Sequence, residues 1–205
     1  MSGHVVPNNV NPHEPVVAHS RSSQTPVRIS GLLLAAGAVA WSVGTVIVGD
    51  RVQEGVQTLD TVTGMVFVAG LFAFVWTVHV TRSAGDGWTR VIPVGLMALL
   101  PGAFVTNALS FGYATYDEFP PALLILDACW PLSQLGMLAL GLAVAIRGRL
   151  RGAVRWLPLL AGLWFPVTVL AQILGGSTVS VYASAALLLG AHAHLGLRLA
   201  LRPTL

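Results

Sequence analysis

Six stretches of about twenty residues, almost wholly apolar and joined by short polar connections, constrain this chain more than anything else in it. They lie near 31–49, 61–80, 91–112, 122–146, 155–174 and 178–201. An α-helix rises about 1.5 Å per residue, so runs of this length match the roughly 30 Å of hydrocarbon in a bilayer. Lipid offers no partner to a backbone N–H or C=O, which leaves the helix as the natural spanning element here. We therefore expect an all-α polytopic membrane protein: one bundle of six transmembrane helices over 30–202, behind a disordered cytoplasmic tail over 1–29. In that tail Pro7, Pro12, Pro15 and Pro26 punctuate polar sequence, and no apolar run is long enough for a signal-peptide core. Its irregularly spaced His4, His13 and His19 read as solvated side chains.

Composition agrees, since 55% hydrophobic and 9% charged residues with a mean hydropathy of +0.75 exclude an ordinary soluble domain. The pI near 9.8 arises from eleven basic residues, all arginine, and their placement decides between nucleic acid and topology. Ten of them (Arg21, Arg28, Arg82, Arg90, Arg147, Arg149, Arg151, Arg155, Arg198 and Arg202) fall in the tail, the connections after segments two and four, and the C-terminus. The other connections carry Arg51 alone, among Asp50, Glu54, Asp60, Asp117 and Glu118. By the positive-inside rule both termini are cytoplasmic and the acidic loops external, in a cytoplasmic (plasma) membrane, with no nucleic-acid partner. Trp88 and Trp156 beside the inner arginines, and Tyr113, Tyr116 and Phe119 at the outer end, read as interfacial anchors. The all-arginine, Ala/Gly/Val/Leu-heavy usage suggests a GC-rich bacterial gene. Cys129, the single cysteine, excludes an intramolecular disulfide and reads as a small buried hydrophobe.

Within this frame, 123–146 is distinctive because it carries Asp127, on this segmentation the only acid inside an apolar span. A carboxylate at mid-membrane costs on the order of 2.5–3.5 kcal/mol, so it is expected to face the bundle interior or water. Four residues on, Pro131 has no N–H for the Asp127 carbonyl, and a kink is expected there. Asp127, Trp130, Pro131 and Gln134 share a face at i, i+3, i+4 and i+7. Counting about 1.5 Å per residue places Asn107 and Asp127 roughly 8–9 Å below the outer surface, Gln172 and Tyr182 nearer to it and Gln134 near the midplane. With Pro101, Pro131 and Pro166 expected to kink helices three, four and five, these five side chains compose an externally open ligand-binding pocket. Interhelical hydrogen bonding is the alternative use of the same groups. Asp127 itself is then paired with Arg51, hydrated in a cavity, or protonated.

A constant offset of 65 relates Arg82, Gly87, Arg90, Pro93, Pro101 and Asn107 to Arg147, Gly152, Arg155, Pro158, Pro166 and Gln172, the signature of a parallel internal repeat. In segment six, Tyr182, Ala186, Gly190 and His194 form a stripe of small residues expected to face the bundle, which leaves His192 facing lipid headgroups or another helix. His79 and His194 at similar depth give a weak alternative as axial ligands of a haem or metal. The sequence otherwise calls for no cofactor. It contains no G-x-S-x-G, H-E-x-x-H, Walker A or G-x-G-x-x-G pattern, so the expectation is a non-enzymatic protein. Its expected partners are the lipid bilayer and a small ligand or proton-coupled solute. The rival reading is an accessory or scaffold subunit binding another membrane protein through the Ala36, Ala40 and Gly44 face of segment one.

Overall fold

The fold is described from a computed structural model, for the backbone of residues 18–147 and 152–203 and for side chains at 24–147, 152 and 154–203. Expectations for the tail over 1–17 and for Arg149 and Arg151 lie outside the described residues. Those residues are mostly helical, with no strand among them: α1 (Ala18–Val48), α2 (Thr58–Thr81), α3 (Val91–Ser110), α4 (Pro121–Asp127), α5 (Cys129–Arg147), α6 (Leu157–Gly162), α7 (Trp164–Leu187), a π-helical turn (Leu188–Ala193) and α8 (His194–Leu201). Short 3-10 turns link several of them.

Five helical runs are long and apolar enough to cross a membrane: Gln24–Gln53, Thr58–Thr81, Gly87–Ser110, Pro121–Arg147 and Trp164–Leu201. Many large apolar side chains on them point outward, among them Leu32, Ile125, Ile173 and Leu174, the last 77% exposed. Water would penalise such a surface and lipid does not. Residues 18–29, expected as tail, belong to α1, which runs N-terminally through Pro26. Once the apolar part of a helix has formed, each further residue adds at little cost, and Val27 and Ser30 are already packed in the bundle.

The fifth run is 38 residues long and holds what the sequence separates into two segments. At Gly176 the backbone leaves helical geometry (φ 77°, ψ −172°). Trp164 Nε1 donates to Ser184 Oγ at 2.9 Å and Ser180 Oγ to the Thr168 carbonyl at 3.1 Å. In a straight helix residues 164 and 184 would stand about 30 Å apart, so the chain folds back at Gly176 and the two halves of α7 run side by side.

Prolines mark two further interruptions. Pro131 offers no N–H to the Asp127 carbonyl, and α4 ends at Asp127; Pro166 stands in the same relation to Gly162, where α6 ends. Pro101 lies inside α3, whose helical run continues through it. The offset of 65 also relates two four-residue 3-10 turns, Gly87–Arg90 and Gly152–Arg155, each opening on a glycine with positive φ.

Helices meet where glycine removes the side chain. A Cβ on Gly31 would lie 2.6 Å from the Gly196 carbonyl oxygen, and one on Gly196 2.5 Å from that of Gly31, at the crossing of α1 and α8. Gly37 and Gly70 play the same part between α1 and α2, and Gly141 and Gly162 between α5 and α6. Such close approach replaces the hydrophobic driving force that lipid cannot supply. Around these crossings Leu34, Phe67, Leu71, Leu100, Met137, Leu140, Leu188 and Leu195 form a closed core.

The bundle has two chemically different ends. At one, the Val56 N–H donates to the Ala114 carbonyl at 3.0 Å, Thr178 Oγ1 donates to Asp50 at 3.2 Å, and Glu118 accepts the Ala114 N–H at 2.9 Å, which ties the acidic loops together. At the other, the turn after α2 packs Gly85 against the Arg147 side chain. There too Arg155 donates to the Ala145 carbonyl and lies over Trp156 at 5.4 Å.

The second half of α7, the π-helical turn and the start of α8 turn a different face inward from the one expected. Val181, Ala185, Leu188 and His192 are buried, whereas Tyr182, Ala186, Gly190 and His194 are exposed. Both stripes are apolar enough for either environment, and packing against α1 selected the first. Similarly, Ala36, Ala40 and Gly44 do not form one open face: Ala36 is exposed, but Gly44 is buried against Thr63 of α2.

Candidate functional site

A cavity of about 290 Å³ opens at the acidic end of the bundle, between α1, α2, α3, the α4–α5 break and the start of α7. Asp127, Trp130, Pro131 and Gln134 all line it, as does Asn107 from α3. Three of the five expected pocket residues are therefore brought together. Gln172 and Tyr182 are not: both are exposed, and neither lines the cavity. Their depth along the helix axis is suitable, but depth leaves the azimuth of a side chain undetermined, and the turn at Gly176 presents these two outward.

The second acid of the cavity is Asp60. Read from sequence as part of the external loop, it lies in the first turn of α2, which begins at Thr58. An acid there is favoured by the positive end of the helix dipole. Its carboxylate accepts hydrogen bonds from Trp41 Nε1 at 3.0 Å and Thr45 Oγ1 at 3.4 Å, both on α1. Two signals in the sequence point to it: an acid following Thr58 just before an apolar run, a helix-start pattern, and the i, i+4 spacing of Trp41 and Thr45 in an otherwise apolar segment.

Asp127 closes α4, and among the described residues no hydrogen bond or ion pair reaches its carboxylate. Arg51 does not clasp it. That guanidinium donates to the Val48 and Ile47 carbonyls at 3.1 and 2.9 Å, satisfying the end of its own helix. No Arg, Lys or His is among the residues lining the cavity.

Gln134 is 1% exposed; its Nε2 has a long contact of 3.4 Å with Ser133 Oγ, and its Oε1 has no partner among the described residues. Asn107 Oδ1 accepts from Trp130 Nε1 at 3.0 Å. The hydroxyls of Thr61, Thr106 and Ser110 each donate to a carbonyl of their own helix, so what they turn to the cavity is lone pairs. The tryptophans Trp41, Trp130 and Trp164 converge on the same volume, Trp41 lying 5.3 and 5.1 Å from the other two rings. Tyr116 and Phe119 of the loop between α3 and α4 stand at the mouth and pack edge to face at 5.5 Å. The Tyr116 phenol is held above its ordinary range, first by burial and then by the negative fields of Asp60 and Asp127. Both carboxylates thus act on one volume beneath this ring.

At the arginine-rich end the histidines are disposed otherwise than a haem pair requires. His194 is exposed and accepts from Arg198 Nε at 3.1 Å, while His79 rests beside Trp76. His192 is fully buried, edge-on to Phe67 at 5.1 Å. Among the described residues there is no group of three His, Cys, Asp or Glu placed to hold a metal ion.

Two carboxylates, a buried acceptor and three indole rings thus surround one small open cavity. No protein-family model, curated protein or solved structure matches this chain.

Proposed function

We propose that this is a six-span protein of the cytoplasmic membrane, with both termini inside, whose cavity takes up a small solute from the external side. The two halves of α7, reversed at Gly176, supply the fifth and sixth crossings together with α6 and α8. The arginine-rich end lies in the cytoplasm and the acidic loops outside, in keeping with the bias of short loops in inserted helices. The role we assign to the cavity is binding or carriage of that solute. Asp60 and Asp127 exchange protons with the outer aqueous phase, and this couples solute binding to proton binding.

The observation that carries this reading is the unpaired Asp127 carboxylate on the wall of a cavity that opens at the acidic end. An acid is tolerated inside a bundle when water or a guest reaches it. The test is accessibility in intact cells. With Cys129 replaced by alanine, an Asp127→Cys thiol should react with a membrane-impermeant methanethiosulfonate added outside, and Trp41 fluorescence should change as it does. A thiol that reacts only in inside-out vesicles, or only after denaturation, would remove the external pocket.

A further inference from the structure

We infer that the occupant of the Asp60–Asp127 cavity is a small organic ammonium ion. This rests on the reading of the cavity as an external binding site and adds the chemistry of the guest. Three independent features of the wall lead to it.

The first is charge. Asp60 and Asp127 face one volume of about 290 Å³, and among the described residues no cationic side chain lines it. Opposite charge is the direct way to accommodate two carboxylates away from bulk water, and an anionic guest is excluded by the same pair.

The second is hydrogen-bond polarity. The indole N–H groups of Trp41, Trp130 and Trp164 are spent on Asp60, Asn107 and Ser184, and the hydroxyls of Thr61, Thr106 and Ser110 on backbone carbonyls, while the Asn107 amide and the Tyr116 hydroxyl remain as donors on the wall. The Gln134 Oε1, buried on the cavity wall, is an acceptor without a donor among the described residues. A guest that brings N–H or polarised C–H donors satisfies the two carboxylates and the Gln134 Oε1 together.

The third is the aromatic surface. The three tryptophans line the cavity with their N–H groups already engaged, and indole rings attract an organic cation through their faces. A hard metal ion prefers some six to eight oxygen ligands in a tight shell, and indole faces supply none. The small volume restricts the guest to the size of an amine or choline-like headgroup rather than a drug-sized cation.

The test uses the purified full-length protein in detergent micelles and a matched pair of probes. Choline and its uncharged isostere 3,3-dimethylbutan-1-ol have nearly the same shape, and ethanolamine tests a primary ammonium. Titrations followed by tryptophan fluorescence and by calorimetry should show saturable binding of choline or ethanolamine, at least tenfold tighter than the uncharged isostere. Sodium and calcium chloride at equal ionic strength should not compete. Asp127→Asn should weaken ammonium binding at least tenfold, and Gln134→Met should weaken ethanolamine binding more than choline binding. Equal binding of the uncharged isostere, or no saturable binding of either ammonium ion to the native protein, would overturn the inference. Displacement by calcium at micromolar levels would overturn it too, in favour of a metal site. Failure here with external labelling of residue 127 intact would leave the pocket standing and reject its guest; failure of that labelling would reject the pocket itself.

Discussion

The close approach of α1 and α8 yields a prediction whose sign can be set against an internal control. In Gly31→Ala the new Cβ would stand 2.6 Å from the Gly196 oxygen and 2.7 Å from the Ala200 nitrogen, both backbone atoms that cannot swing aside. Ordinary contact begins near 3.5 Å, so the helices must part by about 0.9 Å, a gap that forfeits a quarter to a half of each dispersion well along the crossing. Overpacking of this kind costs about 1–3 kcal/mol, and the better helix propensity of alanine returns up to about 1 kcal/mol. Because both clashing atoms are backbone the cost falls in the upper part of that range, about 2–3 kcal/mol, and the expected net loss is about 1–2 kcal/mol, or roughly 2–8 °C in Tm for a chain of this size. Gly95 on α3 has nothing within 4 Å of the equivalent position, so Gly95→Ala should instead gain about 0.5–1 kcal/mol. Because Gly196→Ala would strain the same crossing, the double variant at 31 and 196 should lose less than the sum of the two single losses. Unfolding in mixed micelles with increasing dodecyl sulfate measures all four. If Gly31→Ala is as stable as the parent, or Gly95→Ala falls by as much, glycine contacts are not what sets the helix spacing.

Two further outcomes are expected. Gly176 occupies φ 77°, ψ −172°, a region almost reserved to glycine, so Gly176→Ala should cost about 1–3 kcal/mol in the same unfolding assay despite open space around it, whereas Gly175→Ala would fail by clash with the Val179 side chain. Tyr116 is held neutral above its ordinary range, so its contribution to stability is complete below the unfolded phenol value of about 10 and is lost as pH rises through the folded one. The stability difference between the parent and Tyr116→Phe should therefore be constant from pH 7 to 9 and shrink towards pH 11; a difference that grows with pH would contradict the fields assigned to Asp60 and Asp127.

Much of the site was legible because it rests on covalent spacing. Asp127, Trp130, Pro131 and Gln134 share a helical face whatever surrounds them, and Pro131 removes a hydrogen-bond donor wherever it stands. Asn107 is matched to them by depth alone. Asp60 is missed because a boundary set at residue 61 assigns it to the loop, and only the bonds from Trp41 and Thr45 draw it inward. Arg51 was available to Asp127 by charge and position, yet the free carbonyls of its own helix end are nearer.

By itself the sequence determined the apolar helices, the separation of arginine from acid between the two ends, and the turn at Gly175–Gly176, since these follow from chain length, composition and backbone chemistry. Tertiary structure alone decided which side of each helix faces its neighbours. In water, burial of the apolar side would have settled that choice in advance. In lipid both sides are equally at home, and the decision passes to how closely backbones fit at glycine. His192 is therefore inside and His194 outside, Gln172 and Tyr182 lie apart from the cavity, and Asp60 is gathered into it.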